Sequence, residues 1–191
     1  MPGSGKSTLA ERLSAALGMK RYYIGAMRRE IARRRGMTLE QFNRLGETDP
    51  STDREVDEYQ VKLAKREDNI IIEGRTSFFL VPDSLKIFVD VDFNEGCARI
   101  LKELQDTAGA GQRNETGAKT LDGLEASVRA RLESDRLRYK KYYDMDDVYD
   151  RRHFDLVIDT TGRTPDETYE KALSMVRAAM NARAGSTRTT V

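Results

Sequence analysis

The sequence is short of the residue types on which several kinds of functional site depend. Among its 191 residues it has one cysteine, one histidine and no tryptophan. A lone Cys97 supports neither a disulfide framework nor a thiolate metal site. A lone His153 excludes a histidine-based metal cluster and a Ser-His-Asp triad. Cys97 lies in an amphipathic pattern, where we expect it to act as a small buried hydrophobic residue.

The sequence also lacks an excess of charge and a long apolar run. Its 33 Lys and Arg residues balance 32 Asp and Glu residues, which argues against a dedicated nucleic-acid-binding domain. No apolar stretch is long enough to span a bilayer, and no signal-peptide pattern is present. We therefore expect a cytoplasmic monomer that binds small molecules rather than nucleic acid or membranes. Basic residues cluster at 20–35 and 129–141, either as solvated helix faces or as sites for a small anion.

What the sequence does contain is an alternation of strand and helix patterns. Continuous apolar runs predict buried parallel strands at 70–72, 85–91 and 154–158, with a weaker one at 21–24. Helical patterns separate the strands, at 6–17, 26–35, 39–45, 52–65, 93–105, 121–143 and 165–182. This alternation predicts an α/β fold with a parallel sheet. We expect one domain over 1–183, a mobile segment at 107–119 and a flexible tail at 184–191.

The chain opens on a phosphate-binding pattern, which consists of Gly3, Ser4, Gly5, Lys6, Ser7 and Thr8. Its glycines allow backbone N–H groups to approach phosphate oxygens, and the helix that follows points its N-terminus at the anion. In such a Walker A loop, Lys6 would reach the β- and γ-phosphates of ATP, and the Ser7 hydroxyl would bind Mg²⁺. The sequence therefore predicts a P-loop nucleotide-binding protein.

The pattern departs from the complete motif at its start. A glycine is expected four residues before Gly5, where the chain has Met1. The strand that normally leads into the loop, usually central in the sheet, is also absent from the sequence. We therefore expect either an N-terminally truncated sequence or a degenerate protein that binds ATP poorly.

Two arginines follow predicted strands. Arg29 comes after the strand at 21–24, and Arg75 comes after Ile72, Glu73 and Gly74. Ligands of open α/β sheets bind at the carboxyl ends of strands, and a guanidinium group grips phosphate through two parallel hydrogen bonds. Glu73 occupies the usual place of the acid that holds the hydration shell of Mg²⁺. The alternative is that Glu73 forms a salt bridge with Arg75.

A third group lies on the predicted helix at 121–143. Arg131, Asp135 and Arg138 are spaced at i, i+4 and i+7, which places them on one helix face. They would clamp a transferring phosphoryl group from a lid, or else form an ordinary salt-bridged surface. A hydroxyl acceptor needs a carboxylate base, whereas a monophosphate acceptor is already ionised and needs positive charge. The arginines favour an anionic acceptor.

Taken in order and spacing, these motifs resemble the cytidylate kinase family over nearly the whole chain. The matching stretches are Gly25 to Arg29, Gly36 to Phe42, Asp49 and Pro50 with Asp53, Asp57 and Gln60, Glu73 to Arg75, the Arg131, Asp135 and Arg138 pattern, and Arg138 to Tyr143 leading towards 155–160. The resemblance implies a P-loop NTPase fold of three α/β/α layers, whose first strand is missing here. It also implies a helical insert for the nucleoside monophosphate at 25–66 and a lid region at 107–143.

By the same resemblance, the reaction is the phosphorylation of CMP or dCMP by ATP with Mg²⁺. The roles implied are catalysis by Lys6, Arg131 and Arg138, acceptor binding by Arg29, Arg75 and Asp135, and contact with ATP by Arg163. Thr76 departs from the family pattern, because bacterial members carry an acid there near the cytosine.

Three alternatives remain open at this point. One is a P-loop kinase for AMP, and another is a kinase for a small hydroxylated metabolite, with Asp53, Asp57 or Asp135 as the base. The third is a non-catalytic module in which nucleotide binding alters a partner surface.

Overall fold

The computed structural model describes residues 1–106 and 120–187. Its helices, α1 to α8 in chain order, are Lys6–Leu17, Ile24–Arg34, Leu39–Gly46, Ser51–Arg66, Ser77–Leu80, Phe93–Gln105, Leu121–Tyr143 and Pro165–Thr187. Its strands, β1 to β4, are Lys20–Tyr23, Ile70–Glu73, Ile87–Asp90 and Leu156–Asp159. None of the described helices is long and apolar enough to cross a membrane.

The predicted strands and helices are all found, with ends that differ by no more than two residues except at the end of α8. Helix α8 continues to Thr187, five residues beyond its predicted end. The short helix α5 and a 3₁₀ turn at Arg151–His153 were not predicted. The segment 107–119, which forms the first part of the predicted lid, and residues 188–191 of the predicted tail lie outside the described residues.

The four strands form two parallel pairs. Strand β1 pairs with β2, so that Tyr23 lies opposite Glu73. Strand β3 pairs with β4, so that Asp90 lies opposite Asp159. Within the described ranges no hydrogen-bonded ladder joins β2 to β3. The parallel sheet expected from the sequence is therefore present as two separate pairs.

The first residue lies on the open edge of β3. The carbonyl groups of Lys86 and Asp90 accept hydrogen bonds from the β4 side, so the intervening carbonyl of Val89 faces the opposite edge. The Met1 amine donates a 2.7 Å hydrogen bond to that carbonyl. Met1 therefore lies along the edge of β3 that β4 leaves unpaired, and the phosphate-binding loop starts from there.

One hydrophobic core serves both strand pairs. Ile71 of β2 and Val89 of β3 contact the same cluster of side chains. Its buried members from α1, β3, β4 and α8 are Leu9, Leu13, Val89, Ile158, Ala172, Leu173 and Val176. Burying one such aliphatic side chain contributes about 1.5–3 kcal/mol. The cluster therefore fixes α1, and the loop at its N-terminus, relative to both pairs.

Two further clusters position the rest of the site. Helices α2, α3 and α4, which span the helical insert predicted at 25–66, pack around Phe42, which is fully buried. Cys97 of α6 is buried among Ile100, Leu124 and Val128, which confirms its predicted structural role and attaches α7 to α6. The limits of the insert and lid as separate units stay predictions.

The phosphate-binding loop packs directly on α6. Gly3 has a φ of 73°, a left-handed conformation that side chains disfavour. A Cβ atom at Gly3 would overlap the backbone of Gly96 in α6. Glycine is therefore required at position 3 both by its own backbone and by the close approach of α6.

The substitution Gly3→Ala tests this close approach, with Gly18→Ala as a matched control. Gly18 has a φ of 64°, but a Cβ atom there would meet nothing within 4 Å. We expect Gly18→Ala to lower the free energy of unfolding by roughly 1–2 kcal/mol through backbone strain alone. Gly3→Ala should cost about 1–3 kcal/mol more, because of overpacking. Urea denaturation followed by circular dichroism measures both, and equal losses would contradict the tight packing of the loop.

Candidate active site

A cavity of about 900 Å³ lies between the N-terminus of α1, the helical insert and α7. Every site residue predicted from the sequence lines it: Gly3, Ser4, Gly5, Lys6, Ser7, Thr8, Arg29, Glu73, Arg75, Arg131, Asp135, Arg138 and Arg163. Small-molecule sites usually enclose about 300–1,000 Å³, so this cavity is large. The fold thus brings together residues that are spread over most of the sequence.

One end of the cavity is the N-terminus of α1. The helix begins after Gly5, no side chain caps its first N–H groups, and its first turn contains no acidic residue. Such a helix end carries partial positive charge and unpaired donors, which together favour an anion. The buried Ser4 adds a hydroxyl that has no partner among the described residues. These features fit the phosphate groups of a nucleotide.

Glu73 lies beside this helix end and is almost fully buried. Its carboxylate accepts hydrogen bonds from Lys6 and from the Ser7 hydroxyl, and Arg21 contacts its other oxygen at 2.6 Å. Burial acts to raise the pKa of Glu73, but the Lys6 charge and the three hydrogen bonds outweigh it and hold the pKa below its ordinary value. Arg75 binds elsewhere, so the alternative of a Glu73–Arg75 salt bridge is wrong. The Ser7 hydroxyl and the Glu73 carboxylate supply the oxygen ligands that Mg²⁺ prefers.

The other end of the cavity is a network of buried charges. Arg138 is 2% exposed and binds both oxygens of Asp53, at 2.9 and 3.0 Å. Asp135 accepts hydrogen bonds from Arg138 and Arg75, and Arg28 contacts Asp53 at 2.6 Å. Three guanidinium groups thus share two carboxylates, which leaves an excess of positive charge facing the cavity. The alternative of an ordinary exposed helix face for Asp135 and Arg138 is wrong, since both are buried.

The remaining predicted arginines, Arg29, Arg131 and Arg163, also border the cavity. The Arg29 guanidinium lies 5.1 Å from the centre of the Tyr23 ring, and Lys6 approaches the same ring at 5.8 Å. Arg131 lines the cavity from α7, on the same side as Asp135. Arg163 is exposed on the loop after β4 and also borders the cavity.

A carboxyl group within the helical insert has a raised pKa. Burial raises the pKa of Asp57 to about 6, and the neighbouring charge of Asp53 adds to this effect. A hydrogen bond from the Tyr143 hydroxyl acts in the opposite direction, as do the charges of Arg28 and Arg138. Asp57 is therefore close to changing its charge at neutral pH.

Two residues of the site were missed from the sequence. Arg21 binds Glu73, and Arg28 binds Asp53 and the Asn43 amide oxygen. The signal for Arg28 was its spacing, because it lies four residues after Ile24 and four before Ala32, which are both buried. Arg21 gave no comparable signal, since its partner is 52 positions away.

The sequence of this chain is similar to those of known nucleotide kinases. A family model described as an AAA domain matches residues 1–119. A cytidylate kinase from Desulfurococcus amylolyticus is 34% identical over 187 residues, which cover 97% of this chain and 94% of that protein. The chain belongs to the cytidylate kinase family. Cytidylate kinases of Pyrococcus furiosus and Methanopyrus kandleri are 32% and 33% identical to it. Each alignment covers 95% of this chain, and the two cover 85% and 90% of the respective relatives.

A solved structure supports the fold. The crystal structure of an uncharacterized protein from Eubacterium ventriosum matches with a TM-score of 0.59, over 94% of this chain and 92% of that one. Its sequence identity is 16%, so the likeness concerns the α/β fold alone. Together with the family match, it confirms the P-loop kinase fold that the sequence predicts.

The substitution Arg138→Ala tests the buried network, and Arg136→Ala on the exposed face of α7 is its control. Removing Arg138 takes one of two guanidinium partners from each of the buried Asp53 and Asp135 carboxylates, which keep only Arg28 and Arg75. We therefore expect a loss of about 1.5–3 kcal/mol in the free energy of unfolding, the worth of a hydrogen bond to a charged group. Arg136 forms an exposed pair with Glu133, so its removal should cost about 0–1 kcal/mol. Urea denaturation measures the difference. Similar losses for the two variants would show that the network does not support the fold.

Proposed function

We propose that this protein transfers the γ-phosphoryl group of ATP to CMP or dCMP. The observation that supports this most directly is the cavity, which joins the helix end beside Lys6 to a wall with an excess of guanidinium groups. The helix end beside Lys6 suits the phosphates of a donor, and the wall of guanidinium groups suits an anionic acceptor. The curated relatives, similar over nearly the full chain, carry the name cytidylate kinase.

In the donor half, the phosphates of ATP would lie on the N-terminus of α1. Lys6 would leave Glu73 and contact the β- and γ-phosphates. Ser7 would hold Mg²⁺ directly and Glu73 would hold it through water, and the ion would neutralise phosphate charge. Arg163 is a candidate for contact with the adenosine end.

In the transfer step, a phosphate oxygen of the acceptor forms a bond to the γ-phosphorus of ATP. The bond from that phosphorus to the β–γ bridging oxygen breaks, and ADP leaves with the electron pair. No base is required, because the second pKa of a phosphate monoester is about 6 and the attacking oxygen is already ionised. The main barrier is repulsion between two anions. Arg29, Arg75, Arg131 and Arg138 would lower it by positioning and charge neutralisation.

One rival reaction has a candidate base in the cavity. A hydroxylated metabolite as acceptor would need a carboxylate base; Asp57 borders the cavity, and burial raises its pKa to about 6. The other two candidates, Asp53 and Asp135, are bound by guanidinium groups. Asp57 is therefore the base that such a reaction would use.

A coupled assay of ADP release distinguishes these reactions. It would use ATP and Mg²⁺ with CMP, dCMP, UMP, AMP and a hydroxylated acid such as shikimate. We expect the highest kcat/KM with CMP or dCMP. Turnover of the hydroxylated acid alone would support the rival, and no turnover with any monophosphate would contradict the proposal.

The cytoplasmic location and the monomeric state also stay predictions. Light scattering tests the monomeric state.

The substitution Lys6→Ala tests the proposed role of the loop in catalysis. We expect kcat to fall by about 10²–10³-fold, because a positive group aimed at developing charge is lost. Arg136→Ala, which removes a charge of the same sign outside the cavity, should leave kcat nearly unchanged. Steady-state kinetics with ATP and CMP measures both variants. A non-catalytic module would show no turnover to lose, and equal losses in the two variants would contradict the assignment of Lys6.

A further inference from the structure

A buried amide in the wall of the cavity has one group without a partner. Gln60 of α4 is fully buried and borders the cavity. Its Oε1 accepts a 2.7 Å hydrogen bond from the Ser77 hydroxyl. Its Nε2 has no hydrogen-bond partner in the part of the chain that the structure describes. Leaving a buried donor unpaired costs about 1–3 kcal/mol, which a bound acceptor would recover.

Asp57 lies one helical turn before Gln60, on the same face of α4, and also borders the cavity. The Tyr143 hydroxyl donates to its Oδ2, while no described residue donates to its Oδ1. The wall therefore presents a carboxylate acceptor next to an amide donor. Arg28, Asp53 and Arg138 are the nearby charged groups that act on Asp57.

The charges divide the acceptor site into two parts. A phosphate would be repelled by the Asp57 carboxylate and attracted by the arginines of the buried network. The part beside Asp57 and Gln60 suits an uncharged group that presents a donor next to an acceptor. Cytosine has this edge, with its N4 amino group beside N3. Uracil has the reverse edge, with its O4 acceptor beside the N3–H donor, so it would meet a like group at both positions.

We propose that Asp57 and Gln60 recognise the acceptor base, with Asp57 accepting from its amino group and Gln60 Nε2 donating to the adjacent ring nitrogen. This inference rests on the proposed function and assigns the choice of base to two residues of the helical insert. Adenine offers the same edge on a larger ring, so the pair selects amino bases against oxo bases.

The Ser77 hydroxyl holds the Gln60 side chain in place through Oε1. A hydroxyl can also accept from an amide N–H group, so this contact fixes the place of the amide, and the Asp57 carboxylate, which only accepts, supplies the discrimination between bases. The contact depends on Gly74, because a Cβ atom there would overlap the Ser77 hydroxyl and lie 3.1 Å from Gln60 Oε1.

The first test is the ratio of kcat/KM for CMP to that for UMP in Asp57→Asn, which replaces a carboxylate that only accepts by an amide that can also donate. We expect the ratio to fall about tenfold, the equivalent of one neutral hydrogen bond, because the new N–H group can pair with O4 of uracil. Ser84→Ala is the control, since the Ser84 hydroxyl forms a 2.7 Å bond to the Val81 carbonyl outside the cavity. A purely structural role for Asp57 would lower both values of kcat/KM together and leave the ratio unchanged.

A second variant, Gln60→Glu, replaces the donor by an acceptor. We expect the same ratio to fall further, because the new carboxylate faces the N3 acceptor of cytosine and the N3–H donor of uracil. An unchanged ratio in both variants, with an active wild-type enzyme, would overturn this inference and leave the proposed function intact. Absence of turnover with any nucleoside monophosphate in the wild type would overturn both.

Discussion

The buried guanidinium group of Arg138 is the contact on which the acceptor side of the structure depends. It ties Asp53 of the helical insert to Asp135 of its own helix, and Asp135 in turn binds Arg75 after β2. Buried charges are costly unless they are paired, so these elements are held in one arrangement by charge rather than by apolar contact alone. Because cations outnumber carboxylates in the network, the same contacts that hold the fold leave positive charge for a ligand.

The end of β2 connects the two halves of the site. Glu73 contacts Lys6 and Ser7 of the phosphate-binding loop, while Arg75, two residues later, contacts α7. Gly74 between them leaves the space in which Ser77 meets Gln60. Donor phosphates, acceptor phosphate and acceptor base would therefore all be positioned from one short segment. In this account, catalysis consists of bringing two anions together in a fixed geometry rather than removing a proton.

Local patterns in the sequence predicted much of this site, and contacts between distant segments account for the rest. The glycines before Lys6 and the spacing of Arg131, Asp135 and Arg138 follow from the geometry of one loop and one helix, and the family matches confirm the P-loop kinase fold. The alternative that Glu73 pairs with Arg75 was wrong, because strand and turn patterns do not show which element packs alongside. Gln60 was singled out through the resemblance to the family's nucleotide-binding insert, but its bond to Ser77 had no sequence signal, since no local pattern shows that the two residues meet. The sequence patterns predicted the strands but not their pairing. In the described residues β2 and β3 belong to separate pairs, and no strand lies between them.

In the proposed reaction, one cavity holds a nucleoside triphosphate and a nucleoside monophosphate at the same time. The most direct measurement uses a bisubstrate compound in which adenosine and cytidine are joined 5′ to 5′ through five phosphates. We expect this compound to inhibit competitively against both ATP and CMP, and its Kd, from isothermal titration calorimetry, to be lower than the Kd of either nucleotide alone. Competition with ATP only, at an affinity no better than that of ATP, would contradict the proposed reaction.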